Sequence, residues 1–178
     1  MKKLFSVLLV LIVLSSQTVF AMGFEKTDVP LLIAVNYIKW AENGFGVTDL
    51  RKDFDGEIDG DEEYTYVDDL IILDNPQEEQ IQYIKLNYYN RGKDEEQQIL
   101  RAMSMFAAIE FGAPGSWTDA STINAMSLSM DFYKRLEETL KTKSEKLADG
   151  KAVPFYVSDR LTYVLSADIT NGIVITVV

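Results

Sequence analysis

Leu161-Thr162-Tyr163-Val164-Leu165-Ser166-Ala167, then Asn171-Gly172, then Ile173-Val174-Ile175-Thr176-Val177-Val178: this closing stretch decides the fold. Both runs are rich in β-branched and aromatic residues, which suit a pleated surface. The Asn-Gly pair between them favours a two-residue type I′ turn, because both central positions need positive φ. The stretch therefore reads as an antiparallel hairpin. A hairpin alone is marginally stable in water, so its apolar face has to be covered by what precedes it.

Working back along the chain, Val153-Pro154-Phe155-Tyr156-Val157 leads into the hairpin, and Asp149-Gly150 ends a helical region that starts near Asp119. In that region Ile123, Met126, Met130, Tyr133, Leu136 and Leu140 are expected to face inward, and Glu137 with Lys141 marks a solvated face. Gly112-Ala113-Pro114-Gly115 separates it from a helix over Asp94 to Phe111, whose first turn carries Asp94, Glu95 and Glu96, where the helix dipole favours negative charge. Gln80 to Asn90 alternates, with Ile84, Leu86 and Tyr88 on one face and Lys85 and Asn87 on the other. Tyr64 to Val67 and Leu70 to Leu73 read as short strands joined by a turn at Asp68-Asp69. A first helix, capped by Thr27 or Asp28 and running to about Glu42, carries Val29, Ile33, Tyr37 and Trp40 on one face. Leu31, Leu32, Val35 and Ile38 extend its apolar surface to more than one side.

Helix, strands, two helices, strands: this segregation predicts an α+β domain, an antiparallel sheet with helices packed on one face. Neither strand group is stable alone, so the two are expected to meet in one sheet.

Residues 1–21 stand apart. Lys2 and Lys3 precede the apolar run Leu4 to Leu14, and Val19-Phe20-Ala21 carries the small or aliphatic residues of a cleavage site. The expectation is a signal peptide cleaved after Ala21, leaving one domain over 22–178 that is exported to the periplasm or outside the cell. No second apolar run is long enough for a membrane span.

Composition then excludes whole classes of chemistry. The chain has no His and no Cys. Imidazole bases, thiolate nucleophiles and zinc sites of Cys and His are ruled out. The formal charge is −11, and loss of Lys2 and Lys3 leaves 15 basic against 28 acidic residues, a net −13. That field repels phosphate backbones and speaks against nucleic-acid binding, while it steers basic partners or cations.

Three candidate sites follow. The first is the acidic run within the connection Phe45 to Glu63, where Asp55, Glu57 and Asp59 before Gly60 resemble the start of a calcium loop, with Asp53 and Asp61 as further ligands. The match fails at its end, since Tyr66 stands where a bidentate Glu is expected, and a solvated acidic loop is the plainer reading. The second is a carboxylate pair, with Asp68 or Asp69 beside Glu110 or Asp131, as an envelope hydrolase would need. The third is aromatic: Tyr83 and Tyr89 on the second face of their strand, and Trp117 between two helices, either as partner contacts or as covered and core-capping groups. The leading expectation is a binding protein without catalysis or cofactor that engages a protein or other envelope or extracellular partner through an acidic or aromatic surface; an inhibitor or immunity-type protein that neutralises a basic partner fits it. A carboxylate hydrolase and a weak calcium-binding module are the alternatives.

Overall fold

The computed structural model describes residues 29–59, 62–75, 80–89, 94–168 and 172–178. The expected signal peptide, the Thr27/Asp28 helix start, Asp61 and Asn171 lie outside the described residues, as does the side chain of Tyr89.

Seven strands form one antiparallel sheet: β1 Phe54–Asp59, β2 Glu62–Val67, β3 Leu70–Asn75, β4 Gln80–Tyr89, β5 Val153–Val157, β6 Thr162–Asp168 and β7 Gly172–Val177. Their spatial order is β1-β2-β3-β4-β7-β6-β5. The two strand groups do meet, along β4 and β7, where Ile84 pairs with Val177 and Leu86 with Ile175. The closing hairpin sets Asp168 opposite Gly172, so Gly172 belongs to the ladder and the connection is the three residues 169–171, where a two-residue turn centred on Asn171-Gly172 was expected; the φ of 80° at Gly172 belongs to the left-handed region that a glycine enters without strain.

Among the described residues the helices are α1 Val29–Lys39, which continues as a π-helical turn over Trp40–Phe45, α2 Glu95–Phe111, α3 Ala120–Thr142 and the short α4 Ser144–Ala148. All pack on one face of the sheet. The core joins Leu70, Ile72, Ile84, Leu86, Tyr163, Leu165, Ile175 and Val177 of that face to Ile33, Tyr37, Trp40, Phe106, Phe132 and Leu136 of the helices. This is the expected α+β architecture. Asp94 caps α2, its carboxylate accepting from the backbone N–H of Glu96 at 2.9 Å.

Three further local expectations are corrected. The acidic connection is not all loop, because Phe54–Asp59 is a strand paired residue by residue with β2. α1 leaves Leu31 and Leu32 exposed, so it is buried chiefly through its Ile33, Ala34, Tyr37 and Trp40 side. α3 is rotated from the phase its large apolar residues suggest: Thr122, Ala125, Ser129, Phe132 and Leu136 are buried, while Ile123 and Met130 are exposed. On the buried side of α3 Phe132 stacks on Phe106 of α2, with ring centroids 4.5 Å apart, flanked along the helix by the small buried residues Ala125 and Ser129 and by Leu136. The aromatic contacts of Phe132 with Phe106, Tyr156 and Tyr163 set the phase of the helix.

Candidate interaction surface

The register of the β1–β2 hairpin builds the surface. Asp55 stands opposite Tyr66, Glu57 opposite Tyr64, and Asp59 opposite Glu62. Side chains of directly opposed residues share a face, and alternate residues along a strand return to it. Six groups therefore project from one side of the hairpin: Asp55, Glu57, Asp59, Glu62, Tyr64 and Tyr66. It is the side turned away from the helices, because Val67 on the other parity is fully buried in the core. Tyr64 opposes Leu73, and Leu73 opposes Tyr83, so the same face continues across β3 to Tyr83 on β4. Leu73 is only 2% exposed between these two tyrosines.

The tyrosines and carboxylates are coupled. Tyr64 donates its hydroxyl to Glu62 at 2.7 Å, Tyr66 donates to Glu57 at 3.4 Å, and the Tyr64 and Tyr66 rings stack with centroids 6.2 Å apart. The bond to Glu62 is the main reason that the Tyr64 hydroxyl is pushed up to about 12. Burial and then the Glu57 charge raise Tyr66, and burial and then Glu62 raise Tyr83. All three phenols stay protonated where the carboxylates are ionised. The surface thus offers negative charge, three aromatic rings and hydroxyls already oriented by carboxylates, a combination suited to Lys and Arg side chains.

The acidic run does not gather into a ring of ligands. Along an extended strand alternate residues advance roughly 6.6 Å, so Asp55, Glu57 and Asp59 form a row. Asp55 is engaged by Arg51 in an ion pair. Among the described residues no group of three or more carboxylates is arranged to hold a metal ion.

The carboxylate pairs expected around Asp68 and Asp69 are not formed. Both carboxylates turn to Arg101, whose Nε lies 2.6 Å from Asp68 and 3.5 Å from Asp69. Asp131 pairs with Lys134. Glu110 accepts from the Tyr163 hydroxyl at 2.8 Å and faces Arg160 at 3.6 Å. Arg101 and Glu110 are nine residues apart on α2, about 13 Å of helix axis.

Of the aromatic candidates, Tyr83 joins the surface and Trp117 does not. Trp117 sits edge-on to Trp40 with centroids 5.6 Å apart, and Trp40 Nε1 donates to the Gly112 carbonyl at 2.8 Å. It therefore caps the helical layer on the opposite side of the sheet, 40% exposed. Sequence reasoning missed Tyr64, Tyr66 and Glu62 as members of the surface. The signal was present, since only two residues separate Asp59 from Glu62, and a hairpin closed that tightly has the register that sets them beside the acidic row. No protein-family model, curated protein or solved structure matches the chain.

Proposed function

We propose that this chain is an exported binding protein without catalysis, of inhibitor or immunity type, which engages a basic protein partner through the tyrosine and carboxylate face of its sheet. One observation carries the reading: Asp55, Glu57, Asp59 and Glu62 share a face with Tyr64, Tyr66 and Tyr83, on the side of the sheet turned from the helices. The charge of the whole chain supports it, because a net −11 steers a cationic partner toward the molecule at long range. The leader-like residues 1–21 support an envelope or extracellular setting. Among the described residues no helix is long and apolar enough to cross a membrane.

The test is capture from envelope extract and culture fluid on immobilised residues 22–178, run beside a variant carrying Asp55→Lys, Glu57→Lys and Asp59→Lys. The reading expects one partner held at low salt, released at high salt and not held by the variant, since screening weakens exposed charge contacts. Equal retention by both proteins, or retention that salt does not touch, would overturn it.

A further inference from the structure

We propose that the partner docks as an eighth strand along β1, through an extended segment with Lys or Arg at every second residue. The inference rests on the reading above and adds how that face is engaged.

β1 is the outer edge of the sheet, with β2 as its neighbour among the described residues. Asp59 and Glu62 flank a two-residue connection, and in such a hairpin the flanking pair exchanges both backbone hydrogen bonds. Bonded and non-bonded pairs then alternate, so Glu57 with Tyr64 and Asp55 with Tyr66 are also bonded pairs. The N–H and C=O groups of Phe54, Gly56 and Ile58 consequently point away from β2. These are the groups that an added strand takes up.

The side chains set the partner's chemistry. A strand paired with β1 places its own side chains directly opposite Asp55, Glu57 and Asp59, and like charges in that position repel. A second copy of this chain laid antiparallel on β1 would oppose carboxylate to carboxylate, so the edge resists self-pairing. Lys or Arg at alternate positions reverses the sign at every contact and lies beside the Tyr64 and Tyr66 rings. The opposite edge of the sheet lacks these features. There Pro154 has no N–H to give, and the β5 ladder is irregular between Pro154 and Tyr156.

Gly56 makes the idea testable. Its N–H faces outward, so Gly56→Pro removes the central donor of the edge and leaves the β1–β2 ladder intact. The probe is a blocked peptide alternating Lys and Thr, beside a control of equal composition with its lysines in one block. Binding is read by calorimetry at low salt, and circular dichroism checks the sheet. The alternating peptide should bind more tightly than the control, and Gly56→Pro should weaken it about tenfold, as loss of strand addition requires. Methylating those peptide nitrogens that face β1 should weaken it similarly with the protein unchanged, which covers the case where Gly56→Pro disturbs the hairpin.

Equal binding of the methylated peptide, or of the blocked and alternating sequences, overturns strand addition. If Glu57→Gln still weakens both peptides in that event, the electrostatic reading of the face survives alone. If neither peptide binds, strand addition falls, while the fate of the broader reading is set by the capture experiment above.

Discussion

Arg101 Nε lies 2.6 Å from Asp68 Oδ2, with the guanidinium wholly buried and the carboxylate side chain 3% exposed. A second nitrogen reaches Asp49 at 2.7 Å, and Tyr37 donates its hydroxyl to Asp68 at 3.3 Å. Burial works to lower the Arg101 pKa, but the hydrogen bonds to Asp68 and Asp49 outweigh it and hold the group charged. The contact fastens α2 to the β2–β3 turn, where Asp68 itself adopts a left-handed φ of 53°. Replacing Arg101 by Met removes the buried cation that Asp68 and Asp69 face, and we expect a loss of about 3–5 kcal/mol in urea unfolding. Adding Asp68→Asn should restore part of that loss, because the amide keeps tolerance of the left-handed backbone without the charge.

Gly44 is held open by two tryptophans. A Cβ at this position would lie 2.8 Å from Trp40 and 3.3 Å from Trp117. Gly44→Ala should therefore force the rings apart and cost about 1–3 kcal/mol. A change in near-ultraviolet circular dichroism with helix content retained would locate the effect at the Trp40–Trp117 contact.

The rotation of α3 separates two outcomes that its sequence pattern would reverse. Ile123 is 54% exposed and Ser129 fully buried. Ile123→Ser should change stability by no more than about 0.5 kcal/mol. Ser129→Leu should cost about 1–3 kcal/mol by overpacking the buried side of α3. Thermal unfolding of both variants checks the helix phase.

Tyr37 and Tyr163 make the fold sensitive to alkali. Burial first, and then the Asp68 and Glu110 carboxylates, raise the two hydroxyl pKa values well above the usual tyrosine value of 10.0. An unfolded chain releases these protons near pH ~10 while the folded chain keeps them. Their contribution is therefore fully present below about pH 10 and is lost as pH rises toward the folded values. Urea unfolding should show a level contribution up to that point and a decline beyond it. Tyr163→Phe should lower stability at neutral pH by about 1 kcal/mol or more, through its lost bond to Glu110, and flatten the alkaline decline.

The two strands of the closing hairpin, the β2–β3 turn and the limits of α2 were legible because their signals are local: β-branched runs before and after a break, Asp68-Asp69 between two apolar runs, and acidic residues in the first turn after Asp94. Backbone propensity and capping act over a few residues, but register does not follow from them alone: Asn171-Gly172 reads as a two-residue turn, whereas pairing places Gly172 in the ladder opposite Asp168. The lack of His and Cys, and the sign of the net charge, were likewise fixed by composition. Tertiary structure decided the rest. Phe54–Asp59 has little intrinsic strand preference, and it becomes β1 because β2 offers it a partner ladder. The inward face of α3 follows from the packing of Phe132 on Phe106 of α2 and on Tyr163 of the sheet. Arg101 is an ordinary helical arginine in sequence and a buried hub in the fold, since Asp49 and Asp68, more than thirty positions away, converge on it. The tyrosine and carboxylate face exists only when the strands register, because side chains far apart in the chain share a surface through pairing alone.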